Sequence, residues 1–186
     1  MSQRDSGYAR KERDLYETPA WVTEALLPHI RPRMEVIWEP AAGSGKIATV
    51  LQTKYPIVYQ WDVEQTPNLN LQCSFLDFGE EPDGYEAIIT NPPYELATEF
   101  VEQSLRLTEK DAGFVAMLLR TDFDHAKTRS HLFRECPAFA KKLVLTRRIV
   151  WFEPEPGAKG KSPSFNHAWF IWDWQHEGAP VLAYGP

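Results

Sequence analysis

Cysteine is scarce in this chain: only Cys73 and Cys136 occur among 186 residues. They lie too far apart for the close pairing of a zinc site or a redox motif. Neither a disulfide framework nor a metal centre is expected, and two reduced thiols suit a cytoplasmic protein. No apolar run approaches the ~18 residues that a membrane-spanning helix needs, so no membrane partner is expected. Residues 1–14 are polar and mixed in charge, without the apolar core of a secretion signal, and are read as a flexible segment. Repeats and low-complexity tracts are also lacking, so residues 15–186 read as one domain. The histidines, His29, His125, His131, His167 and His176, show no ligand spacing and read as surface or ordinary packing residues.

An excess of positive charge is missing too. The net charge of −6 argues against a phosphate-binding surface spread over the whole molecule. Its distribution softens that objection: residues 1–119 carry 10 Lys/Arg against 19 Asp/Glu, whereas residues 120–161 carry 10 against 5. A basic stretch on an acidic body is a candidate nucleic-acid face, or simply a solvated surface.

What is present is alternation. Short β-rich runs at 36–40, 57–63, 74–77, 85–90, 113–119, 143–152 and 168–174 are separated by helical patterns at 19–30, 44–54, 95–107 and 124–134. Thr18 is a candidate N-cap, with Pro19 at the first helical position. The run at 113–119 is apolar throughout, as in a strand buried on both faces. Strands alternating with helices imply a doubly wound, mostly parallel α/β sheet, here with a terminal antiparallel hairpin. Such sheets bind ligands beyond the carboxyl ends of their strands. Three clusters fall at those ends: Gly43-Ser44-Gly45, Asp62, and Asn91-Pro92-Pro93-Tyr94.

The glycine loop admits three ligands. A nucleoside triphosphate loop is excluded, because Pro40 holds its first glycine position and Ile47 its hydroxyl position. A dinucleotide fingerprint, Gly43-x-Gly45-x-x-Ala48 with Asp62 about twenty residues on, is formally present, but nothing downstream supplies a hydride-transfer site. The third ligand is S-adenosylmethionine, which needs a close backbone approach rather than a phosphate cradle. Asp62 would then accept the ribose hydroxyls, and Asp77-Phe78 would meet the adenine with an acceptor and a ring.

Asn91-Pro92-Pro93-Tyr94 is the most specific signal. A rigid turn after a strand accounts for the prolines, but not for the residues flanking them. An exocyclic amine on an aromatic ring is a poor nucleophile because its lone pair is delocalised. Accepting its two N–H groups on the Asn91 side-chain oxygen and the Pro92 carbonyl favours a pyramidal nitrogen. Pro92 and Pro93 keep that carbonyl aimed, and Tyr94 offers a stacking face. Flipping a base from a duplex costs a few kcal/mol, and one aromatic face returns about 1–3 kcal/mol. A second aromatic is therefore expected among Trp151, Phe152 and Phe165, with Phe165 as first choice.

These residues together resemble the amino-methyltransferases of DNA, specifically the adenine-directed kind. Tyr16-Glu17-Thr18-Pro19 is similar to their amino-terminal cofactor motif, and Glu39-Pro40-Ala41-Ala42-Gly43-Ser44-Gly45 to their glycine loop. Asp62 (with Val63 beside it), Asp77-Phe78 and Asn91 to Tyr94 follow in the family's order. The resemblance implies a Rossmann-like class I methyltransferase fold with a seven-stranded sheet. It implies S-adenosylmethionine as cofactor, leaving as S-adenosylhomocysteine, and N6 of a flipped adenine in double-stranded DNA as target. The chain departs from the family in having no separate target-recognition domain and in its short second and third crossovers. Small phage- or prophage-type enzymes are the nearest analogy, and a homodimer or loops within 120–166 would have to hold the duplex. RNA adenine, a protein glutamine amide and a non-catalytic cofactor- or DNA-binding role are the alternatives.

Overall fold

The computed structural model describes residues 16–77, 81–151 and 165–186. The expected flexible segment 1–14, Phe78 and Phe152 lie outside them. Eight strands among these residues form one sheet: β1 Val36–Glu39, β2 Ile57–Asp62, β3 Leu71–Gln72, β4 Ala87–Thr90, β5 Phe114–Arg120, β6 Phe139–Leu145, β7 His167–Asp173 and β8 Val181–Gly185. Their order is β3-β2-β1-β4-β5-β7-β6-β8. Only β7 runs against its neighbours β5 and β6; every other pairing is parallel. β4 is buried throughout and β5 nearly so, which is why both read as continuous apolar runs rather than alternating ones.

β6 and β7 pair antiparallel, as expected, but the pair is not terminal: β7 also runs against β5, and β8 follows it in a sheet of eight described strands rather than seven. The extra strand, β8, escapes notice because it is an edge strand that buries little: Val181, Leu182 and Tyr184 are all more than half exposed. Two other boundaries move. β6 lies four residues upstream of the run at 143–152, ending where Thr146 turns its hydroxyl onto the Gly185 carbonyl at 2.9 Å. β3 precedes the run at 74–77, because Asn70 binds both backbone groups of Gln60 and zips the following residues onto β2. Residues 74–77 instead form a turn, in which the Asp77 N–H donates to the Ser74 carbonyl.

Among the described residues there are three α-helices: α1 Ala20–Leu26, α2 Lys46–Leu51 and α3 Ala97–Glu109. The pattern at 124–134 yields two 3₁₀ segments instead, Phe123–His125 and Lys127–Leu132. There, side chains take up carbonyls: Arg129 donates to Phe123 O and the buried Trp172 indole to Leu132 O. Among the described residues no helix lies between β2 and β4, as the short crossovers implied. No helix among them is long and apolar enough to cross a membrane.

The consequence shows in how the two sheet faces are covered. One face is packed by α1 and α2, with Val22, Leu26, Ile47 and Leu51 against Ile37, Ile89 and Trp169. The other has α3 alone, whose Phe100, Val101 and Leu105 are buried. Aromatic rings fill the remainder. Trp38 meets Trp61, Phe75 and Tyr85 edge-on at 4.8–5.1 Å, and Phe133 packs on Phe139, Phe170 and Trp172. Each large ring buries about 150–250 Å², so a few loop residues replace much of a missing helix.

Candidate active site

The loop after β1 is stitched to the end of β2. The Ala42 N–H donates to Trp61 O at 3.0 Å, and the Gly43 N–H to the Asp62 carboxylate at 2.8 Å. Gly43 and Gly45 both adopt left-handed backbone, at φ +52° and +78°. A Cβ at Gly45 would also stand 2.6 Å from the Gln60 side chain. Gly45 thus allows close packing on β2 and does not itself face the ligand space.

Beyond the carboxyl ends of β1, β2 and β4, where the strand order reverses, lies a cleft of about 1010 Å³. Its walls bring together Tyr16, Thr18, Glu39, Pro40, Ala41, Gly43, Ser44, Asp62, Val63, Asn91 and Pro93. This is the position at which open α/β sheets bind ligands. Pro19 caps α1 behind the cleft, and Pro92 is buried under the turn. Asp77 is exposed and lies outside the cleft, whereas its neighbours Ser74, Phe75 and Leu76 line it.

Two acids mark the cleft. Asp62 is 8% exposed, and its two oxygens accept one backbone N–H each, from Gly43 and Glu64. Burial raises its pKa, while the N–H groups of Gly43 and Val63 oppose the rise. Each oxygen retains acceptor capacity. Glu39 is buried, and burial lifts its carboxyl well above the usual range; the Ala48 N–H opposes this and the Asp62 charge adds to it. Its Oε2 has no hydrogen-bond partner among the described residues. A buried, unsatisfied carboxyl at a cleft is costly unless a donor or cation meets it there.

Asn91 closes the far wall. Its Nδ2 donates to Tyr16 O at 3.3 Å and to Thr18 Oγ1 at 3.2 Å. A carbonyl only accepts, so the amide nitrogen must face Tyr16, which leaves Oδ1 as the outward acceptor. Thr18 is therefore not an N-cap: Pro19 takes that place in extended backbone, and the buried threonine hydroxyl serves Asn91.

Tyr94 opens a 3₁₀ turn, Tyr94–Leu96, and its hydroxyl hydrogen-bonds His167 Nε2. The Tyr94 ring lies 5.8 Å from Tyr16 and 6.1 Å from His167. Trp151 meets Tyr16 and His167 edge-on at 5.4 and 5.1 Å. Four rings thus form a closed circuit beside the double-proline turn. Phe165 stands apart, with its ring stacked 4.0 Å from the Arg120 guanidinium, which Asp122 grips with two hydrogen bonds.

His167, read from the sequence as a surface or ordinary packing residue, is buried among these rings and meets the Tyr94 hydroxyl, a contact the sequence reading did not anticipate. It opens β7 and is 2% exposed. The available signal was its position: a lone polar residue before five buried apolar ones, Ala168 to Trp172. Burial pushes its pKa down to about 4; Arg120 adds to that and Asp122 opposes it. The unfolded chain therefore binds this proton more readily between about pH 6.5 and 4. Compared with a His167→Phe variant, the wild type should lose up to about 3 kcal/mol of stability as pH falls through that window. Urea denaturation of both proteins across it measures the difference, and parallel curves would contradict the neutral, buried imidazole.

The basic stretch uses part of its charge internally. Lys142 pairs with Asp124 at 2.6 Å, Arg129 covers Phe123, and Arg147 covers Trp21. Lys127, Arg134, Arg147 and Arg148 are exposed.

No protein-family model matches the sequence, and no curated protein matches it. Solved structures do. A type I restriction-modification methyltransferase subunit from Streptococcus thermophilus superposes with a TM-score of 0.61 at 13% identity, over 87% of this chain and 45% of the other. A 23S rRNA methyltransferase gives 0.54 at 16% identity, over 88% and 68%. A dimethyladenosine transferase from Plasmodium falciparum gives 0.55 at 12%, over 85% and 62%. The chain thus spans less than half of the first of these proteins. At such identities the likeness is one of architecture: the chain has the Rossmann-like fold of the methyltransferases.

Proposed function

We propose that the cleft binds S-adenosylmethionine and that the chain transfers its methyl group to an exocyclic amino nitrogen, N6 of adenine in double-stranded DNA. The observation that supports this reading is the Asn91 side chain at the cleft wall, whose Nδ2 is taken up by Tyr16 O and Thr18 Oγ1, leaving Oδ1 as its acceptor. The cleft's acids suit the cofactor's chemistry. Asp62 keeps acceptor capacity for two ribose hydroxyls, and the orphaned Glu39 Oε2 suits the ammonium of an amino acid. When bound, the cofactor supplies an electrophilic methyl group on a sulfonium.

The chain's own residues do the rest by positioning. Asn91 Oδ1 and the Pro92 carbonyl accept hydrogen bonds from the two amine N–H groups and localise the nitrogen lone pair. Pro93 stiffens the turn, and Tyr94 supports the face of the target ring. Alkylation makes the nitrogen cationic and its N–H proton acidic, so the proton passes to solvent without a strong base. Of the two described candidates, Trp151, beside Tyr16 and His167, is better placed than Phe165, which packs on Arg120, to add the second face. The exposed cations of 127–148 would carry the phosphate contacts. Solved structures of the same fold include methyltransferases named for restriction-modification and for ribosomal RNA, so RNA is the second reading.

Purified protein with labelled cofactor should methylate unmethylated duplex DNA, and digestion should release N6-methyladenine. Label found only in RNA or protein would overturn the substrate. Thr18→Val, which removes the acceptor that orients Asn91, should lower transfer about fivefold, near 1 kcal/mol, while Thr18→Ser retains it. Equal losses in both variants would show that the hydroxyl does not serve Asn91.

A further inference from the structure

We propose that His167 is a positioning residue for Tyr94, fixing the phenol ring that faces the target base from the rigid middle of the sheet. The proposal rests on the methyl-transfer reading above. Tyr94 itself sits on a three-residue 3₁₀ turn rather than on a strand of the sheet. Its hydroxyl is anchored 73 residues away in sequence. The anchor opens β7, which is paired along its whole length with β5, Arg120 lying opposite His167. A functional side chain is held most firmly when its support stands on such an element.

Packing alone does not explain a histidine there. The ring is buried against the edge of Trp151, and Nδ1 has no hydrogen-bond partner among the described residues. An unsatisfied buried nitrogen is costly, whereas phenylalanine would fill the same space without that cost. What the imidazole gains is the Tyr94 hydroxyl. The charged groups facing it, Arg120 and Asp122, lie at the end of β5, and the ring remains neutral through the pH range of an ordinary assay. The imidazole therefore meets the Tyr94 hydroxyl in its neutral form.

His167→Phe and Tyr94→Phe remove the bond from opposite ends and keep both rings. Each should lower kcat about tenfold, near 1.4 kcal/mol by transition-state arithmetic, with cofactor affinity by calorimetry unchanged. The double variant should be no slower than either single one, because both remove a single interaction. His167→Gln, which restores one polar atom near the Nε2 position, should recover most of the rate. Additive losses of about a hundredfold in the double variant, or cofactor affinity falling with kcat, would overturn the proposal. If His167→Phe fails to fold, Tyr94→Phe and His167→Gln carry the same test, and a glutamine variant as slow as Tyr94→Phe counts against it. An independent readout is the ¹⁵N resonance of His167 Nε2, which Tyr94→Phe should shift. An unmoved resonance sinks the hydrogen bond whatever the activity. A shifted resonance in a protein that methylates nothing sinks the transfer reading instead, and the positioning role with it.

Discussion

Replacing Asn91 with alanine is expected to lower methyl transfer by about 10²–10³-fold, the scale of losing one preorganised polar contact to a reacting group. The substitution deletes the Oδ1 acceptor and also the two bonds by which Nδ2 holds Tyr16 O and Thr18 Oγ1. Those two effects separate experimentally. Loss of the acceptor reduces kcat and leaves the cofactor dissociation constant within a few-fold. Loss of the tether loosens the segment entering α1, whose Tyr16 and Thr18 line the cleft, and so weakens cofactor binding. Steady-state kinetics beside calorimetry distinguishes them. If affinity fell as far as kcat, Asn91 would be a strut for the amino-terminal segment and not the residue that receives the amine.

The second large effect belongs to Asp62. Asp62→Ala should weaken cofactor binding by about 1.5–3 kcal/mol, the range for hydrogen bonds to a charged group. It should also destabilise the protein without ligand, because the Gly43 and Glu64 N–H groups lose the carboxylate that receives them. Asp62→Asn resolves the two contributions: its amide can accept only one of those N–H groups, and it removes the charge that strengthens bonds to ribose hydroxyls. Calorimetric titration with S-adenosylhomocysteine measures the first loss and denaturation of the free protein the second. An unchanged dissociation constant in Asp62→Ala would place the ribose elsewhere in the cleft.

How much of this was legible beforehand depended on how each residue makes its living contacts. The central strands showed in the sequence because burial on both faces forces unbroken apolar runs, as in β5. β8 did not, because an edge strand with exposed Leu182 and Tyr184 has no core-facing rhythm to display. The glycine loop, Asp62 and the Asn91 turn were visible because their chemistry is local and ordered along the chain. The side chains that support them were not. Thr18 looks like a helix cap from its neighbours, yet it serves a residue 73 positions away. His167 looks like filler within an aromatic strand, and only the antiparallel entry of β7 between β5 and β6 brings it to Tyr94. Pairings across such distances leave no local pattern to read.

The aromatic packing that stands in for missing helices has an optical consequence. Phe75 and Phe100 line the cleft and also belong to the ring cluster that encloses the Trp38 indole. A ligand settling into the cleft rests directly on the neighbours of a nearly solvent-free tryptophan. Emission from that indole should respond to occupancy without any attached dye, which makes the protein its own sensor for what it binds.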